Sequence, residues 1–154
     1  MDIKDINTIL RTKAIKAGLC EDWQNNKWNK VLTKDELLEL YIKGIDFSLK
    51  QEWFDYDFIK VAFNKEDLHR HNIYLDEKVA IEDAKNGYYV FLGKCTGTLW
   101  VNGLKAVTVY VRHDSVINVE AYDGARVQVR YYDNSDGACK SDNYSRVKKI
   151  IRKS

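Results

Sequence analysis

Three stretches of the chain carry residue types that do chemistry. His69-Arg70-His71 sets two imidazoles two positions apart. On a strand that spacing aims both rings the same way and suits a metal; on a helix it separates them. No third ligand stands at a helpful spacing, so the motif reads as surface histidines flanking an arginine. Asp133-Asn134-Ser135-Asp136-Gly137 has the acidity of a calcium loop but lacks its glycine spacing and distal glutamate, and it reads as a turn. Cys139, within Asp136-Gly137-Ala138-Cys139, needs a neighbouring base to act as a nucleophile, and no signature around it supplies one. The glycine patterns of phosphate and dinucleotide loops are missing. The sequence therefore predicts no catalytic residue, no metal and no cofactor, and points to a non-enzymatic binding protein.

The side chains left to do work are arginines and tyrosines, and a repeat organises them. From Gly97 to Arg152 the chain recurs every ten residues: Ser115 to Gly124 aligns column by column with Ala125 to Asn134. Within each unit apolar and polar residues alternate, the period of a half-buried strand. Leu99, Val101, Val107, Val109, Val111, Ile117, Val119, Ala121, Ala125, Val127, Val129 and Tyr131 form the set expected to face a core. Asn102-Gly103, His113-Asp114, Asp123-Gly124 and Asp133-Asn134 close the units with residues that tolerate positive φ. Unit 133–142 has lost its strand pattern, which predicts a loop or an irregular coil.

Two architectures satisfy this repeat. In a β-solenoid each unit is a strand plus a corner, two units close a coil, and residues twenty apart stack; Ala125-Arg126-Val127 indeed recurs as Ser145-Arg146-Val147. In an antiparallel meander the same turns are hairpin loops. The expected fold class is α+β, an N-terminal helical segment capping a short C-terminal β-solenoid, with the meander as the alternative. The division is 1–86 helical and 87–154 repeat. In the solenoid, alternate units lie on opposite faces. One face then shows Thr108, Tyr110, Arg112, Arg126, Gln128, Arg130, Tyr132, Arg146, Lys148 and Arg152; the other shows Trp100, Asn118, Glu120 and Tyr122. Of the first, Tyr110, Arg112, Arg126, Arg130, Tyr132, Arg146 and Lys148 are the candidate partner-binding residues. Guanidinium forks match carboxylates and phosphates, and tyrosine rings offer stacking surface. The partner classes are an acidic protein, nucleic acid, or a second copy joined through the solenoid ends.

The residues Ala121-Tyr122-Asp123-Gly124-Ala125-Arg126-Val127 and Tyr131-Tyr132-Asp133-Asn134-Ser135 resemble a group of bacterial and phage proteins. In those, a short helical segment precedes repeats of the type Ala-Tyr-Asp-Asn-x-x-Val. The resemblance covers about a third of the chain. It implies a β-solenoid, carries over no functional residue, and brings the expectation of a phage-type inhibitor of a bacterial defence complex.

Charge divides along the same line as the repeat. Residues 1–86 carry 14 Lys/Arg and 17 Asp/Glu, net −3; residues 87–154 carry 11 and 6, net +5. The basic half is the repeat half, a pointer to an anionic partner. The start, Met1-Asp2-Ile3-Lys4-Asp5, has no basic stretch followed by an apolar run, and no apolar run spans a bilayer. Cys20, Cys95 and Cys139 are odd in number and far apart, as free thiols in a reducing cytoplasm would be.

Upstream, residues 3–18 predict a helix burying Ile6, Ile9, Leu10 and Ala14, stopped by Gly18. Thr33-Lys34-Asp35-Glu36 is a capping box, and its helix is expected to run to Gln51 across Gly44. Asp55 heads a further short helix, and Asn64 reads as its stop or as the cap of one more turn over 65–71. Ile73-Tyr74-Leu75 and Lys78-Val79-Ala80-Ile81 are extended pieces leading into the sheet.

Overall fold

A computed structural model describes residues 1–51 and 53–152 of the 154-residue chain. The chain forms two compact units, one of helices through His71 and one of strands from Asn72.

In the helical unit, α1 (Ile3–Lys16) is capped by Asp2 and stopped at Ala17, before Gly18 at φ +106°. Its buried stripe is Ile6, Asn7, Leu10 and Ala14, whereas Ile9 stays 37 % exposed. Asn7 can lie inside because its amide is satisfied there. It donates to the carbonyls of Ile3 and Leu32, and accepts from the Trp28 indole and the Leu32 N–H, at 2.8–3.0 Å. A single π-turn (Trp23–Lys27) follows. The capping box of Thr33 and Glu36 starts α2 (Lys34–Lys43). The expected run to Gln51 is broken: Gly44 caps α2 and α3 (Ile45–Gln51) begins beyond it. The break brings Gly44 against an indole, since a Cβ there would stand 3.0 Å from Cη2 of Trp23. Asp55 and Asn64 accept from backbone amides at 2.8 Å to open α4 (Tyr56–Ala62) and α5 (Lys65–His69).

The strand unit is a parallel β-solenoid. Its strands are β1 (Ile73–Leu75), β2 (Lys78–Ile81), β3 (Gly87–Leu92), β4 (Thr96–Asn102), β5 (Ala106–Val111), β6 (Val116–Tyr122), β7 (Arg126–Tyr132), β8 (Cys139–Ser141) and β9 (Arg146–Arg152). Odd strands form one five-stranded sheet in the order β1-β3-β5-β7-β9, and even strands form a second in the order β2-β4-β6-β8. Each odd–even pair is one coil, giving about four turns followed by β9. Every pairing is parallel, which excludes the antiparallel meander. From β3 onward the register advances by twenty residues, as in Val107↔Val127↔Val147. The first coil begins at Ile73, so the two extended pieces ahead of the repeat are strands of the solenoid itself.

All twelve residues expected to face the core do so, at 0–4 % exposure. Each such valine or isoleucine contributes roughly 1.5–3 kcal/mol relative to an exposed position. The corners explain why ten residues suffice. His113, Asp123 and Asp133 adopt φ of 58°, 59° and 55°, the left-handed conformation that Asn, Asp and His enter more readily than other side chains. Serines, two of them buried, then satisfy the turned backbone. The Ser115 hydroxyl accepts from Cys95 N–H and donates to the Gly93 carbonyl, both at 3.0 Å. Ser135 donates to the carbonyl of Val111, and Ser145 accepts from the amides of Gly124 and Ala125.

The degenerate unit is irregular, as its composition predicts. β8 has three residues, and the Asn118 side chain, instead of a backbone carbonyl, accepts from Ala138 N–H at 2.8 Å. Tyr131 is fully buried beside it and donates its hydroxyl to the Ile117 carbonyl at 2.7 Å. Gly137 passes so close that a Cβ would lie 1.8 Å from that same carbonyl oxygen.

Candidate binding face

The residues singled out for ordinary chemistry are engaged structurally. His71 lies 2.9 Å from Asp35 Oδ1, and Arg70 Nε approaches the same oxygen at 3.1 Å. Those two bonds hold the Asp35 carboxyl below its usual range. Asp136 and Gly137 belong to the irregular coil, where Asp136 accepts from Lys149 at 3.3 Å. Cys139 sits in β8 with its sulfur 3.7 Å from the Tyr131 hydroxyl, and Cys95 is buried, which pushes its thiol up. Among the described residues no three of His, Cys, Asp or Glu gather as a metal site would require. None of the described helices is long and apolar enough to cross a membrane.

Parallel register places the arginines and tyrosines. Outward positions of β5, β7 and β9 form four ranks: Ala106–Arg126–Arg146, Thr108–Gln128–Lys148, Tyr110–Arg130–Ile150, and Tyr132 beside Arg152. Neighbours in a rank are about 4.8 Å apart and ranks about 6.6 Å apart. Tyr110, Arg126, Arg130, Tyr132, Arg146 and Lys148 are therefore on one sheet, with Arg112 just past the end of β5. These three strands hold six cations and no carboxylate. The even sheet shows Trp100, Asn118, Glu120 and Tyr122, with the Tyr122 hydroxyl bonded to Glu120.

The seven candidates are not equivalent. Arg112 is spent on structure: its Nε lies 3.0 Å from Asp133 Oδ2, and only 11 % of its side chain is exposed. Burial works against the Asp133 carboxylate, but the His113 amide and the Arg112 guanidinium outweigh it and hold the pKa below its ordinary value. Arg130 is half-buried and lies over the Tyr110 ring, 5.7 Å from its centroid. Arg126, Arg146, Lys148 and Arg152 are exposed. Arg126 and Arg146 also line an open groove of about 350 Å³ with Thr108 and Gln128. The Arg126 guanidinium is steadied there by the Tyr144 carbonyl at 3.0 Å. Two in-register guanidiniums, a hydroxyl and an amide suit an oxyanion, because every cation there can donate to it.

Sequence reasoning missed one cation of this region. Lys149 occupies an inward column, opposite Val129, yet its ammonium folds over the Tyr131 ring at 5.2 Å and donates to the Gly137 carbonyl at 2.8 Å. The paired lysines of Val147-Lys148-Lys149-Ile150 break the alternation, and that break is the signal that the inner column ends there. No protein family, curated protein or solved structure matches this chain.

Proposed function

We propose that this chain is a non-enzymatic binding protein. Its last odd strands, β7 and β9, hold an acidic surface of another protein through Arg126, Arg146, Lys148 and Arg152. The observation that supports this reading is the stacking of Arg126 on Arg146 beside an open groove, on strands that carry no carboxylate. Ladders hold β7 on both sides and β9 along its whole length on one, so the cations are preorganised and binding loses little chain entropy. Acidic protein is preferred to nucleic acid because the Tyr110 ring, the natural stacking platform, already carries the Arg130 guanidinium. In the bacterial or phage setting that the resemblance implies, blocking an acidic groove of a defence complex in the cytoplasm is the form this binding takes.

The test is capture from bacterial lysate, with and without nuclease, by the wild type and by the Arg126→Glu/Arg146→Glu/Lys148→Glu variant. A nuclease-resistant partner, lost on charge reversal in a variant of unchanged circular dichroism, supports the reading. Capture that nuclease abolishes replaces it with nucleic-acid binding. Undiminished capture by the folded variant removes the face altogether.

A further inference from the structure

The odd sheet ends on a strand with one side open. β9 pairs with β7 along all seven of its residues, and no described strand lies beyond it. The Arg146 N–H donates to the Ala125 carbonyl, so backbone alternation turns the N–H and C=O groups of Val147, Lys149 and Ile151 to the opposite edge. The even sheet offers no comparable edge, since its last strand, β8, is only three residues long.

The interior is unfinished at the same place. The columns Val127–Val147 and Tyr131–Ile151 go from 4 % and 0 % exposed in β7 to half-buried Val147 and 48 % exposed Ile151. An apolar layer therefore begins in β9, and among the described residues no further layer covers it. The strand is also strongly charged: Arg146, Lys148, Lys149 and Arg152 with no carboxylate.

These properties select the occupant. A second copy pairing through β9 would set four cations against four, and like charges across a ladder are destabilising, which is how natural edges resist self-association. A strand of opposite charge meets the reverse situation. We infer that the open edge of β9 accepts an acidic, extended segment of a partner protein as a sixth strand of the odd sheet. The added strand places carboxylates beside Arg146, Lys148, Lys149 and Arg152 and apolar side chains over Val147, Ile150 and Ile151. Main-chain bonds supply affinity and the alternating side chains supply specificity. This deepens the function proposed above, and rests on it, by naming the partner's conformation as well as its charge.

The probe is a blocked heptapeptide that is the charge image of β9, Glu-Val-Glu-Glu-Val-Val-Glu, titrated into the full chain by calorimetry. Two derivatives carry N-methyl groups at its odd or its even positions, leaving charge and side chains intact while deleting alternate N–H donors. Strand addition needs only the donors that face β9. The expectation is that one methylated peptide binds like the parent while the other binds at least tenfold more weakly, and that a scrambled peptide binds weakly. Equal binding by both methylated peptides, or none by the parent, overturns strand addition. So does a single-stranded oligonucleotide that binds where the parent peptide does not. If the peptides fail but lysate capture is still lost on charge reversal, the basic face stands and only the strand geometry falls. If neither responds, both fall.

Discussion

Arg112 and Asp133, at the corners of successive coils, are joined by a bond of 3.0 Å from Nε to Oδ2. The carboxylate also accepts from the His113 N–H at 3.1 Å, so one aspartate ties down both the guanidinium and the backbone of the corner above. This arrangement makes Arg112 a strut of the solenoid, not an exposed cation.

Arg112→Ala should then separate stability from binding. Loss of a charged hydrogen bond at a site this enclosed costs about 1–3 kcal/mol. Urea unfolding should show that loss, while partner capture below the unfolding midpoint stays within about twofold of wild type. A large loss of capture by a stably folded Arg112→Ala protein would return this residue to the contact surface.

Acid should act through the same carboxylate. The Asp133 pKa is lower in the fold than in the unfolded chain, so its contribution is fully present above the unfolded value of about 3.9. It is lost as pH falls through the lower folded value. Asp83, bonded to Lys105 and Lys85 and held at about 2, titrates in the same direction. The expected outcome is that wild type exceeds Asp133→Asn in stability at pH 7, and that the gap closes as the pH falls below about 4. Urea midpoints measured across that range check it, and a gap that widens towards acid would contradict the assignment.

Ser115 tests the corner chemistry. Its hydroxyl serves a buried donor and a buried acceptor one coil back, and the residue is fully buried. Ser115→Ala leaves both groups unsatisfied, at about 1–3 kcal/mol each. Amide exchange at Cys95 should accelerate more than exchange in the core of β5. Uniform acceleration throughout the solenoid would mean the serine acts only on global stability.

How far the sequence reached is clear from particular residues. The inward and outward sets were legible because a strand has a period of two, and burial filters that period without exception from Leu99 to Tyr131. Parallel winding was legible through Arg126 and Arg146, twenty apart in matching contexts. Asn7 and Gly44 were not. Whether an asparagine can be buried depends on the Trp28 indole and the Leu32 backbone, and how little room there is beside Gly44 depends on Trp23. Those partners are set by tertiary packing, which local spacing does not encode. Spacing placed the arginines and tyrosines on one sheet but could not tell Arg112, bonded to an aspartate one coil on, from Arg146, which is exposed.

The most direct measurement is the affinity of the lysate-captured partner for three folded proteins: wild type, Arg126→Glu/Arg146→Glu, and Lys140→Glu on the even sheet. The account predicts a loss of a hundredfold or more for the double reversal, an affinity that falls steeply with salt for wild type, and a change within about threefold for Lys140→Glu. Equal affinities for wild type and the double reversal would contradict it.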